Sequence, residues 1–212
     1  MIKLKKLEEP DVLKDSAAAW TQALLMCEAA GIKPSDAEKN KYKNPAIKSV
    51  LMRETNGKCA YCESKLLHSS YGDVEHIVPK SARIELTFEW SNLTISCDVC
   101  NTNKGNKFPD GVGFIDPYLH EPSENFNIIG PLVLAKSGNN NARLTEEALK
   151  LNRAELVERR EQRIRALRDQ IEVIRQAPLE LRGILAENLN EEIKEDKEFT
   201  AIARSCIPLL LM

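Results

Sequence analysis

Helix-forming residues fill positions 11–30, "DVLKDSAAAWTQALLMCEAA", and the run stops at Gly31, a residue suited to the position just past a helix end. This predicts a helix over 11–30. Positions 31–44 are polar with one proline and read as a loop. The next stretch, "NPAIKSVLMRETNG", carries its own boundary signals: Asn44 to cap, Pro45 for the first helical position, Gly57 to stop. Residues 108–143 are rich in Pro, Gly and Asn. Within them the apolar run "NIIGPLVLA" reads as a strand or a pair of strands, and "GNNN" at 138–141 as a turn or loose loop.

The pattern changes at Leu144. Asn152 with Glu155 three residues on resembles a capping box. Val157, Ile164, Leu167, Ile171 and Ile174 then recur at helical spacing as far as Pro178. The spacing predicts a helix of about six turns with one apolar stripe and an Arg/Glu-rich outer face. That outer face reads as a solvated surface laced with i,i+4 pairs, in preference to a nucleic-acid-binding face. Further helical segments are expected over 179–189 and 191–205. The closing "CIPLLLM" is far too short to cross a bilayer and reads as core or subunit contact.

Composition narrows the class. The chain has 212 residues, 42% hydrophobic and 29% charged, as in a soluble globular protein. No apolar run approaches the roughly 18 residues of a membrane span. The opening "MIKLKKLEEPDVLKD" is basic without a following apolar stretch, unlike a signal peptide. A cytoplasmic protein with no membrane partner is expected. The net charge of −2 argues against a protein that grips nucleic acid unaided, so either the basic surface is local or a partner supplies part of the grip.

Of the six cysteines, Cys27 and Cys206 stand alone, while Cys59/Cys62 and Cys97/Cys100 form two Cys-x-x-Cys pairs. Each pair presents two sulfurs from one tight turn, and two such turns complete a tetrahedron for Zn²⁺. Four thiolates leave no open coordination position, so this zinc would be structural. It would pin residue 59 to the region of residue 100 and leave the reacting groups to be sought between and just beyond.

The pattern "CAYC…VEHIVPKS…WSNLTISCDVCNTNKGNK" resembles the HNH, or ββα-metal, endonucleases over about 50 residues. The resemblance implies an α+β fold with a small ββα-metal core. A first strand ends in Glu75–His76, "LTIS" is the second strand, and a helix starting near Cys100 presents Asn101. Asn92 takes the place of the family's middle Asn, which braces the intervening loop and so orients the base. Adjacent strand residues face opposite ways, so Glu75 and His76 converge only if the strand ends or bends there, as Pro79 permits. His76 is suited to act as general base at neutral pH. Glu75 and Asn101 offer hard oxygens for a catalytic Mg²⁺ or Mn²⁺. The family more often has Asp where this chain has Glu75. Asn in place of a final His also occurs in the HNH domain of CRISPR effector nucleases, at the Asn92–Asn101 interval. Asp73 is a spare carboxylate behind these ligands. Lys80, Lys104 and Lys107 either touch phosphate or are solvated, and His68 and His120 read as surface residues.

"IKLKK…EPDVL", "CAYCE" and "TEEALKLNRAELVERR" extend the likeness to the PtuB-type HNH effectors of Septu and retron anti-phage systems. That resemblance implies an ABC-type ATPase partner (PtuA-like) and a nucleic-acid substrate, DNA favoured over RNA. The expected organisation is an N-terminal helical segment (1–57), an HNH core with zinc knuckles (58–110), and a loop, short-strand and helical region for partner docking (111–212). The competing readings are a zinc-stabilised nucleic-acid-binding or scaffold subunit without catalysis, and an RNA-cleaving HNH nuclease.

Overall fold

The computed structural model of the chain describes residues 1–66, 71–109 and 112–211; His68 lies outside the described residues. Helix α1 (Asp11–Ala29) follows Pro10, and α3 (Pro45–Glu54) begins where Asn44 Oδ1 accepts the Ala46 N–H at 2.8 Å. Past α3, Asn56 and Gly57 take left-handed conformations (φ 52° and 68°) and turn the chain into the first cysteine pair. Strands β1 (Asp73–His76) and β2 (Leu93–Ser96) pair antiparallel, with Asp73 opposite Ser96 and His76 opposite Leu93. Helix α4 (Asp98–Lys104) follows β2 after a single residue and packs on β1. This is the ββα unit of an α+β fold.

Leu93 and Ile95 of β2 enter the main core with Leu13, Ile47, Leu51 and Phe88, so α1 and α3 cover the sheet. The Trp20 ring stands edge-on to Phe88 at 5.3 Å and fastens α1 to the loop between the strands. The N-terminal segment is tied to the same unit: Lys6 Nζ donates to the Leu93 carbonyl at 2.5 Å and to Glu54 at 3.2 Å. Burial pushes the Lys6 ammonium down to about 8, against the pull of Glu54.

Beyond the unit, the short α5 (Pro122–Asn125) leads into a hairpin of β3 (Phe126–Ile129) and β4 (Leu132–Ala135). Then come α6 (Asn140–Ala148), α7 (Ala154–Gln176), α8 (Leu179–Glu191) and α9 (Thr200–Leu211). Leu167, Ile171, Leu189, Ala203 and Ile207 join the last three helices. No helix among the described residues is long and apolar enough to cross a membrane.

Several local expectations are corrected. Residues 31–44 are not a plain loop: α2 (Asp36–Lys39) forms on a capping box between Ser35 and Glu38, and a 3-10 turn spans Lys41–Lys43. "GNNN" opens a helix, because Asn139 Oδ1 accepts the Ala142 N–H at 2.9 Å and starts α6. Asn152 does not cap α7; Arg153 holds the cap position without a side-chain bond. Asn152 instead exchanges two 2.9 Å hydrogen bonds with the backbone of Val133, holding β4 against the α6–α7 corner. Helix α9 starts later than expected and runs on past Pro208. The chain bends through turns before it, where Thr200 Oγ1 donates to the carbonyls of Lys194 and Lys197. Near the C-terminus Cys206 and Ile207 are core, while Leu209 and Leu211 are exposed. The apolar stripe of α7 also buries Arg160, whose Nη1 donates to the carbonyls of Pro131 and Leu151.

Candidate active site and metal centre

The first cysteine pair sits on a tight hairpin in which Cys59 N–H reaches the Ser64 carbonyl at 2.9 Å, with Glu63 in a left-handed turn (φ 65°). The second pair straddles the start of α4. Cys97 is the cap residue, and its sulfur accepts the Cys100 N–H at 3.4 Å, so α4 begins at Asp98, slightly earlier than expected. All four sulfurs are buried and lie within 4.8 Å of one another. Zinc with Zn–S bonds of about 2.3 Å spaces tetrahedral sulfurs about 3.8 Å apart, and Cys62 and Cys97 sulfurs are 3.8 Å apart. That spacing is far too long for a disulfide, at about 2.05 Å. Burial pushes the Cys59 thiol up, whereas hydrogen bonds from its neighbours pull Cys62 down. As thiolates, four buried sulfurs would require a compensating cation, and this donor set can hold zinc. Arg153 brings a guanidinium nitrogen to 3.9 Å from Cys100 Sγ.

On the sheet, the backbone register sends Glu75 and His76 to opposite faces, as expected of neighbours in a strand. Both still line one cleft of about 150 Å³ at the end of β1, with Tyr42, Lys80, Asn101 and Lys104 among its walls. His76 is buried, and its Nε2 lies 2.9 Å from the Thr87 carbonyl oxygen. A carbonyl only accepts, so Nε2 carries the hydrogen and Nδ1 keeps its lone pair. Burial pushes the imidazole down to about 4; Lys80 and Lys104 add to this and the Thr87 bond opposes it. The ring is therefore neutral at neutral pH. Tyr42 stands edge-on to it at 4.5 Å.

Asn92 spans the loop between the strands. Its Oδ1 accepts from Val78 N–H at 2.8 Å, and its Nδ2 donates to the carbonyls of Val78 and Leu86 at 3.0 and 3.1 Å. Leu86 adjoins Thr87, so the Asn92 bridge and the His76 contact belong to one backbone segment.

The two oxygen ligands expected of the sequence have different partners. Asn101 donates through Nδ2 to Asp73 at 3.1 Å, not to Glu75, and its Oδ1 has no hydrogen-bond partner among the described residues. Asp73 is thus a direct hydrogen-bond neighbour of Asn101. Glu75 is buried against Lys104, with Nζ 2.6 Å from Oε1. Burial raises the Glu75 carboxyl above its ordinary range and Lys104 pulls it back. Lys104 also donates to the His76 carbonyl at 2.7 Å and is wholly buried, so it neither touches phosphate nor faces solvent. Its ammonium bridges α4 and the end of β1 by pairing with the Glu75 carboxylate and the His76 carbonyl. Lys107 is exposed, with its ammonium on the Asn103 carbonyl. His120 is half-buried, its Nδ1 3.1 Å from the Asp116 amide, and not simply a surface residue. Tyr42, Thr87 and the Lys104 clamp carry no motif; a loop tyrosine and a lysine give no sequence signal of burial.

Residues 59–107 match the HNH endonuclease family. This segment is an HNH endonuclease domain. Two curated relatives extend the likeness beyond the HNH domain, both named Septu protein PtuB. The one from Bacillus thuringiensis is 33% identical over 129 residues, covering 60% of this chain and 46% of the relative. The one from Bacillus mycoides (strain KBAB4) is 29% identical over 203 residues, covering 76% of this chain and 66% of the relative. The chain thus spans about half to two thirds of the relatives it matches.

Two outcomes follow for the HNH domain. The purified chain should carry about one zinc per molecule, and Cys97→Ser should lose it together with several kcal/mol of stability. Elemental analysis and thermal melts check this; a Cys97→Ser protein with full zinc and an unchanged melt would rule out the clamp. Lys104→Met leaves the Glu75 carboxylate buried and unpaired, at a cost of about 3–5 kcal/mol. Adding Glu75→Gln should return part of that loss in urea denaturation, and strictly additive losses would show that the two side chains are not coupled.

Proposed function

We propose that this chain is a metal-dependent endonuclease that hydrolyses phosphodiester bonds of nucleic acid, DNA in preference to RNA. The observation that carries the reading is the His76 ring inside an HNH domain: its Nε2–H is fixed on the Thr87 carbonyl, and its Nδ1 lone pair is left free in a cleft shared with Glu75 and Asn101. In this reading His76 is the general base. The attacking water bonds to phosphorus, its proton passes to Nδ1, and the 3′-oxygen departs with the electron pair of the broken P–O bond. Asn92 keeps the loop, and through Thr87 the imidazole, in one orientation. Asn101 Oδ1 and the Asp73 and Glu75 carboxylates form a hard-oxygen donor set suited to Mg²⁺ or Mn²⁺. Such an ion supplies positive charge at the leaving oxygen. Glu75 is paired with Lys104, whose ammonium opposes the burial that raises this carboxyl beside the base.

The likeness to the Septu proteins supports an effector role in a Septu system; in this reading the chain acts in the cytoplasm, in bacterial anti-phage defence, beside an ABC-type ATPase partner. The modest net charge is consistent with a partner that supplies part of the grip on nucleic acid. The helices after residue 150 expose Val173, Leu179, Leu181, Ile184 and Leu209, and are the docking region of this reading.

Nicking of plasmid DNA with Mg²⁺ or Mn²⁺ should fall in His76→Ala by about 10²–10⁴, the usual contribution of a general base. Equal cleavage by both proteins would sink the mechanism. Mixed with the ATPase, the chain should elute as a complex in size-exclusion chromatography, and separate elution would remove the partner from the reading.

A further inference from the structure

The cleft holds one cation whose charge is not spent. Of its two lysines, Lys104 is neutralised by Glu75, the one carboxylate among the lining residues. Lys80 is half-buried and makes no ion pair among the described residues. Its hydrogen bond is to a neutral group: Nζ donates to the Tyr42 hydroxyl at 2.8 Å. Tyr42 in turn is buried with its ring against His76, and its hydroxyl donates to Asn40 Oδ1 at 3.2 Å. The phenol therefore ties the ammonium to the ring that flanks the base. A partly desolvated ammonium with only a neutral partner is costly unless an anion completes it.

We propose that Lys80, positioned by Tyr42, is the phosphate-contacting residue of this cleft and takes a backbone phosphodiester of the entering nucleic acid. The proposal rests on the nuclease reading of the same site. Its ligand class follows from the donor: an ammonium is a compact point charge that binds phosphate without reading bases. Burial lowers the pKa of Lys80 and nearby Lys39 lowers it further, while Glu75, already paired with Lys104, pulls it back; an anion in the cleft adds to that pull. Tyr42 is a positioning residue supplied by the Lys41–Lys43 turn, outside the 59–107 match. A segment that reads as a polar loop thus completes the substrate side of the HNH cleft.

The test is fluorescence anisotropy of the full chain with labelled duplex and single-stranded oligonucleotides, over a salt series and without added divalent cation. Lys80→Ala should weaken binding about tenfold and lower the salt dependence by about one counterion. Lys80→Arg should keep most of the affinity and the full salt dependence. Tyr42→Phe retains the ring beside His76 and loses the hydroxyl; it should weaken binding less than Lys80→Ala and leave the salt dependence unchanged. Parent-like affinity and salt dependence in Lys80→Ala would overturn the proposal, and cleavage by the parent with Mg²⁺ would leave the nuclease reading standing. A parent that binds neither oligonucleotide overturns it too, and if that parent also fails to cleave, the nuclease reading falls with it.

Discussion

Four sulfurs within 4.8 Å of one another join two turns that lie far apart in the chain, and the positions of the cleft residues follow from that junction. Cys97 directly follows β2 and caps α4, while Cys100 lies in the first turn of the same helix. A helix of seven residues has almost no stability of its own in water. Its place is set by the cysteine cluster at one end and by Lys104 at the other. Asn101 sits between these two anchors, so the side chain that faces Asp73 is held by contacts on either side of it.

A second constraint acts on the imidazole. His76 lies at the end of a strand in a two-stranded sheet, and contacts from outside the sheet hold its ring. The Thr87 carbonyl accepts its Nε2–H, the Tyr42 ring stands edge-on against one side, and Lys104 donates to the His76 backbone carbonyl. Three of these groups belong to different segments: the inter-strand loop, the turn before α3, and α4. Asn92 stiffens the first of them with three side-chain hydrogen bonds to the loop backbone. A buried imidazole held this way owes its tautomer and its low pKa to the fold around it, since a free imidazole has neither.

Much of this was legible along the chain because the signals are local. Proline and asparagine at 44–45 mark the start of α3, apolar spacing marks α7, and the paired cysteines mark the clamp, all within a few residues of themselves. The same locality explains the misreadings. Asn152 stands where a cap residue should, three before Glu155, but the backbone of Val133 competes for its side chain and wins because that strand needs partners. Arg160 lies on the apolar stripe of α7, where the periodicity calls for a hydrophobic residue. Two carbonyls that point inward satisfy its guanidinium.

The sequence by itself determined the class of chemistry: two Cys-x-x-Cys pairs for a closed metal site, and a Glu–His pair with two asparagines in the HNH pattern. These rest on residue type and short spacing, which are written directly in the chain. Only the tertiary structure decided which charges cancel inside the cleft. Lys80 and Lys104 are equivalent as letters, yet Lys104 is buried on Glu75 while Lys80 keeps its charge beside Tyr42. That difference depends on which segments meet across long loops, and no local pattern encodes it, because the energy of a buried ion depends on its partners and not on its neighbours in sequence.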